Sequence, residues 1–390
     1  MYKNKQKYKI WDTTLRDGEQ MPGVVFSPEE KIELATKFSD FGVDVIELMP
    51  AVSESEKRLA KQLASQGLGA EITASTMLRK EHVEIVLDCG IESITLFTPL
   101  SDIHLKYKLG ISREENLERA LEMVDFAGDH GLRVVFAGED STRADIEYLV
   151  NFINELSKHI EYFIPCDTLG CLTPSRTSRF FNLLNERCDC PLGSHVHNDF
   201  GMATANTLAG LMAGAEIFSG TFGGIGERAG NASIEEVCTA LKFLHDVDLD
   251  VRYDMLTEIC RLVEQYSGIV LQHHKPIVGR NAFSHESGIH VDGILKNPAT
   301  YENFDPGFVG QERRLLFGKH TGRGIIKHII NKYKINWGVE EALEKIKYIS
   351  EHEHRSLRES EIASFFDSSD ASPPINDLGN GHSKPTAQDV

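Results

Sequence analysis

Short apolar, β-branched segments alternate with longer segments of helical periodicity along residues 8–221, and this alternation limits the possible folds more than any other feature. The apolar segments predict eight strands, at residues 8–13, 43–48, 70–74, 93–97, 133–137, 162–164, 192–197 and 216–221. The periodic segments predict helices at residues 28–38, 53–66, 80–87, 113–130, 144–157, 174–186 and 201–213. Eight strands that alternate with helices are typical of a (β/α)8 TIM barrel.

A doubly wound open sheet is the structural alternative, and it usually carries a glycine-rich turn after its first strand. Here that turn reads Leu15-Arg16-Asp17-Gly18-Glu19-Gln20, which is charged and lacks the Gly-x-Gly-x-x-Gly spacing. The TIM barrel is therefore favoured. Ser27-Pro28 and Thr173-Pro174 each predict a capped helix start, because both combine an N-cap hydroxyl with proline in the first turn.

The pattern changes beyond the eighth strand, and we predict four segments in all. Residues 1–270 form the barrel domain, and residues 271–325 form a linker and lid that is rich in polar residues and glycine. A segment of this composition suits a mobile cover over an active site. Helical periodicity predicts a small helical segment at residues 326–367, and residues 368–390 form a polar tail that we expect to be disordered.

Composition excludes several classes of function. The chain has 390 residues and a net charge of −18, which argues against a nucleic acid or an anionic membrane as partner. No stretch resembles a transmembrane span, and the basic N-terminus lacks the apolar stretch of a signal peptide. The seven cysteines are odd in number and form no Cys-x-x-Cys pair, so we expect a reducing, cytoplasmic compartment.

Polar side chains follow five of the predicted strands at their carboxyl ends, where a TIM barrel carries its chemistry. His195 and His197 occupy positions i and i+2 of the seventh strand, so they project to the same face. Asp17 and Asn231, which follow the first and eighth strands, would complete a divalent metal site. Mixed nitrogen and oxygen ligation leaves magnesium, manganese and zinc open. A His-x-His pair alone is more typical of two core histidines, and the other strand ends favour the metal.

The same strand ends offer groups for an anionic substrate. Arg16 lies beside Asp17, where it would stabilise an oxyanion, and Thr168 offers a hydroxyl to a substrate carboxylate. The glycine-rich stretch at residues 223–230 would bring backbone N–H groups close to an anionic ligand. We assign Gly224, Gly226 and Asn231 of this region to cofactor binding.

Five stretches resemble the 2-isopropylmalate synthase/homocitrate synthase family, in the same order and over about residues 8 to 330. They are Trp11-Asp12-Thr13-Thr14-Leu15-Arg16-Asp17-Gly18-Glu19-Gln20, His195-Val196-His197-Asn198-Asp199, Gly224-Ile225-Gly226-Glu227-Arg228-Ala229-Gly230-Asn231-Ala232, His285-Glu286-Ser287-Gly288-Ile289-His290 and Gly318-Lys319-His320-Thr321-Gly322-Arg323. The resemblance implies a metal-dependent TIM barrel that condenses acetyl-CoA with a 2-oxo acid in a Claisen-type reaction and then hydrolyses the thioester.

The resemblance also implies the catalytic residues. Arg16 would stabilise the developing alkoxide, and Glu227 and Glu139 match family positions near the substrate. His320 matches a catalytic histidine that the family typically delivers from the partner subunit. We expect Glu227 and His320 to act as bases, with Glu139 third, in a homodimer whose lids are exchanged between subunits.

The sequence indicates the identity of the 2-oxo acid less clearly than the reaction class. Homocitrate synthase-like activity is the first expectation. About sixty residues follow the lid, patterned as helices and tail, whereas most 2-isopropylmalate synthases that resemble this chain carry a further regulatory domain. Lysine-pathway homocitrate synthases, however, carry a histidine where Ser75 falls and an arginine where Val135 falls. Ser75, Arg79 and His104 are therefore the candidate contacts for a distal carboxylate.

Three alternatives stay open. A 2-isopropylmalate or citramalate synthase would accept a branched or shorter 2-oxo acid, and an apolar pocket for a branched acid would draw on Leu48, Met49, Leu96 and Leu100. An acyl-CoA lyase or aldolase would share the barrel with its Arg-Asp-Gly and His-x-His motifs, but not the motifs at residues 285–290 and 318–323. A metal-binding protein without catalytic activity is the third alternative.

Overall fold

A computed structural model describes residues 8–362 of the chain, and the tail predicted for residues 368–390 lies outside them. The described residues form two compact units. The first contains residues 8–283 and 303–312, and the second contains residues 284–302 and 313–362. Within residues 8–362, none of the helices combines the length and apolar character that crossing a membrane requires.

The first unit is a closed barrel of eight parallel strands, which confirms the predicted TIM barrel. The strands are β1 Lys9–Asp12, β2 Val45–Leu48, β3 Glu71–Met77, β4 Ser93–Pro99, β5 Arg133–Glu139, β6 Tyr162–Asp167, β7 Gly193–Val196 and β8 Ile217–Gly220. The strands follow one another in chain order around the barrel, and β1 closes it by pairing with β8, with Trp11 opposite Ser219. Each of the eight strands lies within or overlaps its predicted segment. The sequence pattern was informative because parallel strands that are buried on both faces consist of short apolar runs.

Helices connect successive strands on the outside of the barrel. They are α1 Pro28–Phe41, α2 Glu54–Ser65, α3 Lys80–Asp88, α4 Arg113–Asp129, α5 Ile146–Leu156, α6 Pro174–Arg187 and α7 Ala203–Met212, followed after β8 by α8 Ile234–Leu244 and α9 Leu256–Ser267. A short helix, Asp102–His104, continues as the π-helix Leu105–Leu109 between β4 and α4.

The two predicted caps have different outcomes. Ser27 forms a complete capping box at α1, since its hydroxyl accepts the Glu30 N–H and the Glu30 carboxylate accepts the Ser27 N–H. Thr173 occupies the N-cap position of α6 but makes no side-chain capping bond. Its hydroxyl lies 3.3 Å from the Ser175 hydroxyl instead, so the predicted Thr173 cap is wrong.

Alternate residues of each strand face either the barrel interior or the surrounding helices. The interior is filled by a small apolar cluster of Trp11, Val45, Val135, Ile164, Cys166 and Ile217. Residues of the opposite parity, such as Ile46 and Leu96, belong to the large core between the barrel and its helices. The interior cluster closes the floor beneath the carboxyl ends of the strands, where the polar groups collect.

The segment after α9 also belongs to the first unit. Val278 is buried in the main core, and the Asn281 N–H donates to the His273 carbonyl oxygen at 2.8 Å. Residues 303–312 return to the same unit, where the Thr257 hydroxyl donates to the Val309 carbonyl at 2.6 Å. Residues 271–283 are thus an ordered part of the unit that holds the barrel.

The second unit combines a small sheet with three helices. Its strands are β9 Ser284–His285, β10 Arg314–Phe317 and β11 Leu357–Arg358, and its helices are α10 Gly288–Lys296, α11 Arg323–Tyr333 and α12 Val339–Glu353. Strand β10 pairs with β9 in parallel and with β11 in antiparallel orientation. Apolar residues of the helices and of β10, such as Ile329, Ile346 and Phe317, form a separate core.

Candidate functional site

Asp17, His195 and His197 converge at the carboxyl ends of β1 and β7, as the sequence predicts. The Nε2 atoms of the two histidines lie 3.3 Å apart, and the Asp17 Oδ2 atom lies 3.8 Å from His195 Nε2 and 3.7 Å from His197 Nε2. All three side chains are buried. They are the one group of three His, Cys, Asp or Glu side chains within residues 8–362 whose ligand atoms lie close enough to share a metal ion.

The three donors fit a divalent metal in spacing and in charge. An ion bonded at about 2.1 Å to each donor brings the donor atoms to about 3 to 3.5 Å from one another. The 3.3 Å between the imidazoles lies within this range, and the 3.7 and 3.8 Å to Asp17 exceed it by a few tenths of an ångström. Burial and the neighbouring His197 lower the pKa of His195 to about 3, and burial also lowers the pKa of His197. Although burial opposes it, Arg16 and the two imidazoles hold the pKa of Asp17 well below its usual range. Two neutral imidazoles and a carboxylate are the protonation states that metal ligation requires.

Two of the three donors, His195 and Asp17, are held by neighbouring groups, whereas the Nδ1 atom of His197 is buried without a hydrogen-bond partner among the described residues. The Ser219 hydroxyl lies 3.0 Å from His195 Nδ1, which fixes the plane of that ring. The Asn231 amide donates to Asp17 Oδ1 at 2.8 Å, and the Glu227 N–H donates to the same oxygen at 3.1 Å. The Oδ2 atom of Asp17 is thereby left to face the imidazoles. The Asn231 Oδ1 atom is buried without a hydrogen-bond partner among the described residues, as expected of an additional oxygen ligand.

The loop after β8, residues 223–231, reaches Asp17 through a glycine. Gly226 has a φ of 153°, and a Cβ atom there would overlap the Asn231 amide and lie 2.8 Å from Asp17 Oδ1. The Gly223 and Glu227 N–H groups already donate to carboxylates of the protein, those of Glu235 and Asp17. Cofactor binding by Gly224 and Gly226 therefore stays a prediction.

Arg16 is held between two carboxylates. Its Nη1 atom donates to Asp17 Oδ2 at 2.9 Å, and its Nη2 atom donates to Glu47 Oε2 at 3.1 Å. Glu47, on β2, is 2% exposed and also accepts the hydroxyls of Thr13 and Ser75. The sequence reasoning missed Glu47, which lies inside a short apolar strand, although its parity with Val45 places it on the inner face.

These residues line a cavity of about 300 Å³ in the barrel mouth. Its lining includes Arg16, Asp17, Glu47, Ser75, Lys108, Glu139, Thr168, His195, His197, Glu227 and Arg228, with an apolar side formed by Trp11, Phe97, Ala137, Ile164 and Cys166. The apolar residues proposed from the sequence lie elsewhere. Leu48, Leu96 and Leu100 face the helices in the main core, and Met49 is absent from the lining, so that pocket assignment is wrong.

Glu139 faces the cavity from the end of β5. Lys108 donates to both of its carboxylate oxygens, at 2.8 and 2.7 Å. His104 lies beside the pair, with Nδ1 3.3 Å from Glu139 Oε1 and 3.8 Å from Asp140 Oδ2, but it is not among the lining residues. Glu139 is thus part of an ion pair, which the sequence did not predict.

Thr168 and Glu227 face the cavity from the ends of β6 and β8. The Thr168 hydroxyl accepts the Asp140 N–H at 2.8 Å, so its own hydrogen is available to a ligand. The Glu227 carboxylate forms no ion pair or hydrogen bond with another side chain of residues 8–362. Arg228, next to it, donates to the Thr168 carbonyl at 2.5 Å and to both carboxylate oxygens of Asp199.

The other predicted site residues lie in three different places. Ser75 is in the cavity wall, where its hydroxyl donates to Glu47. Arg79 is exposed at the start of α3 and does not line the cavity. His320 lies in the turn after β10 of the second unit, where its carbonyl accepts the Gly288 N–H. A role for His320 at the barrel stays a prediction.

Two family models match the chain, one over the barrel and one over the segment that follows it. Residues 7–263 match the HMGL-like family, and residues 277–355 match the homocitrate synthase post-HMGL domain-like family. The chain belongs to the 2-isopropylmalate synthase/homocitrate synthase family, as the sequence motifs predicted.

Its relatives carry three different names. The chain is 45% identical to a probable 2-isopropylmalate synthase of Methanopyrus kandleri, over 88% of this chain and 70% of the relative. It is 44% identical to an (R)-citramalate synthase of Methanocaldococcus jannaschii, over 87% of this chain and 69% of the relative. A homocitrate synthase of Methanopyrus kandleri is 43% identical, over 89% of this chain and 88% of the relative. Identity of the same level to all three leaves the 2-oxo acid open.

Solved structures support the barrel fold. A hydroxymethylglutaryl-CoA lyase of Bacillus subtilis superposes with a TM-score of 0.63, at 22% sequence identity, over 71% of this chain and 97% of that chain. A hydroxymethylglutaryl-CoA lyase of Pseudomonas aeruginosa gives a TM-score of 0.60, also at 22% identity. At this level of identity the likeness concerns the fold alone.

Proposed function

We propose that this protein condenses acetyl-CoA with a 2-oxo acid and releases free coenzyme A. The observation that carries the proposal is the position of Arg16 and Thr168 beside the Asp17, His195 and His197 cluster in one cavity. The names of its relatives, which are synthases for 2-isopropylmalate, citramalate and homocitrate, support the same reaction class. We assign the protein to the acyltransferases on this basis.

The 2-oxo acid is held at both of its polar ends. Asp17, His195 and His197, with Asn231, would hold a magnesium, manganese or zinc ion, which supplies Lewis-acid polarisation of the keto group. The Thr168 hydroxyl donates to a carboxylate oxygen of the substrate. The Arg16 guanidinium donates to the keto oxygen as it becomes an alkoxide, and Glu47 keeps that guanidinium in place.

The bond-forming step requires a base on the acetyl side. Glu227 takes a proton from the acetyl-CoA methyl group, since its carboxylate faces the cavity and is bound to no cation. The methyl carbon then bonds to the keto carbon, and the alkoxide takes back the proton that Glu227 removed. His320 is the second candidate base for the methyl proton. Water finally cleaves the thioester and releases the coenzyme A thiol. Glu139 is the less favoured base, because Lys108 occupies both of its oxygens.

We infer that the side chain of the 2-oxo acid is short and uncharged. The cavity lining contains four carboxylates, Asp17, Glu47, Glu139 and Glu227, and three cations, Arg16, Lys108 and Arg228. Arg228 is already paired with Asp199, which lies outside the lining, so a divalent ion held at this site would supply the positive charge that one substrate carboxylate neutralises. A second carboxylate would have no unpaired cation, because each of the three already contacts a carboxylate.

The expectation of homocitrate synthesis requires a second carboxylate and is therefore the less favoured variant. The side of the cavity across from the imidazoles is formed by Ser75, Thr95, Phe97 and Ala137, which suits a methyl to isopropyl group. The test is thiol release from acetyl-CoA with pyruvate, 2-oxoisovalerate, 2-oxoglutarate or oxaloacetate, with and without a chelator. Higher kcat/KM for the monocarboxylates supports the inference, whereas a preference for 2-oxoglutarate overturns it and supports homocitrate synthesis.

An acyl-CoA lyase on the same barrel is the alternative reaction class. The match of residues 277–355 to the homocitrate synthase post-HMGL domain-like family favours the synthase. The two directions are separated by mass spectrometry. A synthase produces a 2-hydroxy acid and free thiol from acetyl-CoA, and a lyase produces acetyl-CoA from 3-hydroxy-3-methylglutaryl-CoA. Turnover of the second substrate alone would contradict the proposed condensation.

We further propose that the protein is a homodimer in which the second unit of one subunit delivers His320 to the barrel of the other. Mixing His320→Ala with Asp17→Ala subunits tests this arrangement. Random exchange gives half heterodimers with one intact site each, so about a quarter of wild-type activity should return. Mixing His197→Ala with Asp17→Ala is the control and should restore nothing. No recovery in the first mixture would exclude the exchanged arrangement.

A further inference from the structure

Lys275 is a largely buried cation outside the cavity, in the segment that follows α9. Its Nζ atom donates to Glu236 Oε1 at 2.8 Å and to the Ser233 hydroxyl at 2.9 Å, and it lies 3.2 Å from Glu235 Oε1. The side chain is 14% exposed, and Glu235 is completely buried. A lysine in such surroundings loses hydration that only close anionic partners replace, so its position is tightly determined.

The groups that Lys275 holds are the ones that contact the start of the 223–231 loop. Glu235 Oε2 accepts the Gly223 N–H at 3.1 Å. The Ser233 hydroxyl lies directly against Gly224, where a Cβ atom would come within 2.5 Å of it. Gly223 and Gly224 both have φ values above 70°, so this turn has a backbone that few other residues adopt.

The other end of the same loop holds the proposed metal site. The Asn231 side chain donates to Asp17, and the Asn231 backbone forms an isolated antiparallel β-bridge with His197. The Glu227 N–H also donates to Asp17. The Gly224 carbonyl accepts the Asn231 N–H at 3.1 Å, which joins the two ends of the loop. A displacement at Gly223 and Gly224 would therefore move the groups that orient the Asp17 carboxylate.

We propose that Lys275 is a positioning residue for the metal site, acting through Glu235 and Ser233 on the 223–231 loop. Without its ammonium group, Glu235 would be a buried carboxylate next to Glu236 with no cation. The first turn of α8 would then rearrange, because a buried unpaired charge is not tolerated. The inference builds on the proposed metal-dependent function, but its test does not need turnover.

The experiment compares Lys275→Met with Lys242→Met. Lys242 lies on α8, the helix that carries Glu235 and Glu236, and pairs with the exposed Asp248 at the end of that helix opposite to them, so it is the matched control. Manganese affinity is measured by calorimetry, together with thermal unfolding and with kcat and KM in the thiol-release assay. We expect about tenfold weaker manganese binding for Lys275→Met, since groups that orient metal ligands typically carry effects of this size. Lys242→Met should bind manganese like the wild type.

A rescue variant separates positioning from stability. Lys275→Met combined with Glu235→Gln removes both buried charges, and the glutamine oxygen can still accept the Gly223 N–H. We expect the double variant to regain most of the manganese affinity lost in Lys275→Met, in a non-additive manner. It also gives a folded protein to test if Lys275→Met alone does not fold. A folded Lys275→Met with wild-type manganese affinity and kcat, or a double variant no better than the single one, overturns the proposal. If the wild type binds manganese but condenses no 2-oxo acid, the proposed function fails while the manganese result for Lys275 still stands.

Discussion

Glu47→Gln should reduce turnover while leaving the fold intact. The substitution keeps the volume of the side chain but removes the negative charge that binds Arg16 Nη2 at 3.1 Å. A hydrogen bond to a charged group contributes about 1.5–3 kcal/mol, and Arg16 is proposed to act on the alkoxide, which exists only near the transition state. Loss of that contribution corresponds to a decrease in kcat of about 10-fold to 150-fold, with a smaller change in KM.

The assay is steady-state thiol release at saturating metal, with thermal unfolding to confirm the fold. Ser75→Ala is the matched control, because it removes another hydrogen bond to the same carboxylate but leaves the contact between Glu47 and Arg16. We expect its kcat to fall less than that of Glu47→Gln. A folded Glu47→Gln variant with kcat within about twofold of the wild type, a difference below 0.5 kcal/mol, would refute the role assigned to this ion pair.

Three further predictions concern stability. Manganese at about 100 times its Kd should stabilise the fold by about 2.7 kcal/mol, and Asp17→Asn should abolish the resulting rise in Tm. Burial raises the pKa of Asp12 from 3.8 to about 8. The protonated carboxyl group therefore contributes its full stabilisation below about pH 4, and this stabilisation is lost as the pH rises through 8. In urea unfolding, the free energy of unfolding of Asp12→Asn should fall less between about pH 5 and pH 9 than that of the wild type. Ser27→Ala should cost about 0.5–2 kcal/mol in urea unfolding through loss of the capping box, with unchanged kcat.

The barrel was predictable because its strands and helices have different periods. Each strand is a short run covered on both faces, and each connecting helix repeats its apolar face every three to four residues. The rule that residues i and i+2 share a face placed His195 and His197 together, and barrel geometry brought Asp17 to them from the other end of the domain. Local patterns and one topological rule were sufficient for these residues.

Other features of the cavity depend on contacts between distant residues, which local sequence patterns do not predict. Leu48 and Leu96 look like candidates for a substrate pocket, but the parity of their strands turns them towards the helices. Glu47 was missed because the sequence does not show which face of β2 points into the barrel. Only when that face is known does the position of Glu47 in the strand place its side chain in the cavity. Lys108 reaches Glu139 across 31 positions of sequence, through a π-helix that sequence periodicity does not indicate.

The two oxygens of Asp17 have separate partners, and this separation explains why the site needs a closed barrel. Oδ1 accepts from Asn231 and from the Glu227 N–H, both on the loop after β8, whereas Oδ2 accepts from Arg16 and faces the imidazoles. The loop can reach Asp17 only because β8 pairs with β1 and because Gly226 has no side chain. The orientation of Asp17, a proposed ligand near the start of the chain, is thus set by a turn more than two hundred residues later, and closure of the barrel is a condition for forming the proposed metal site.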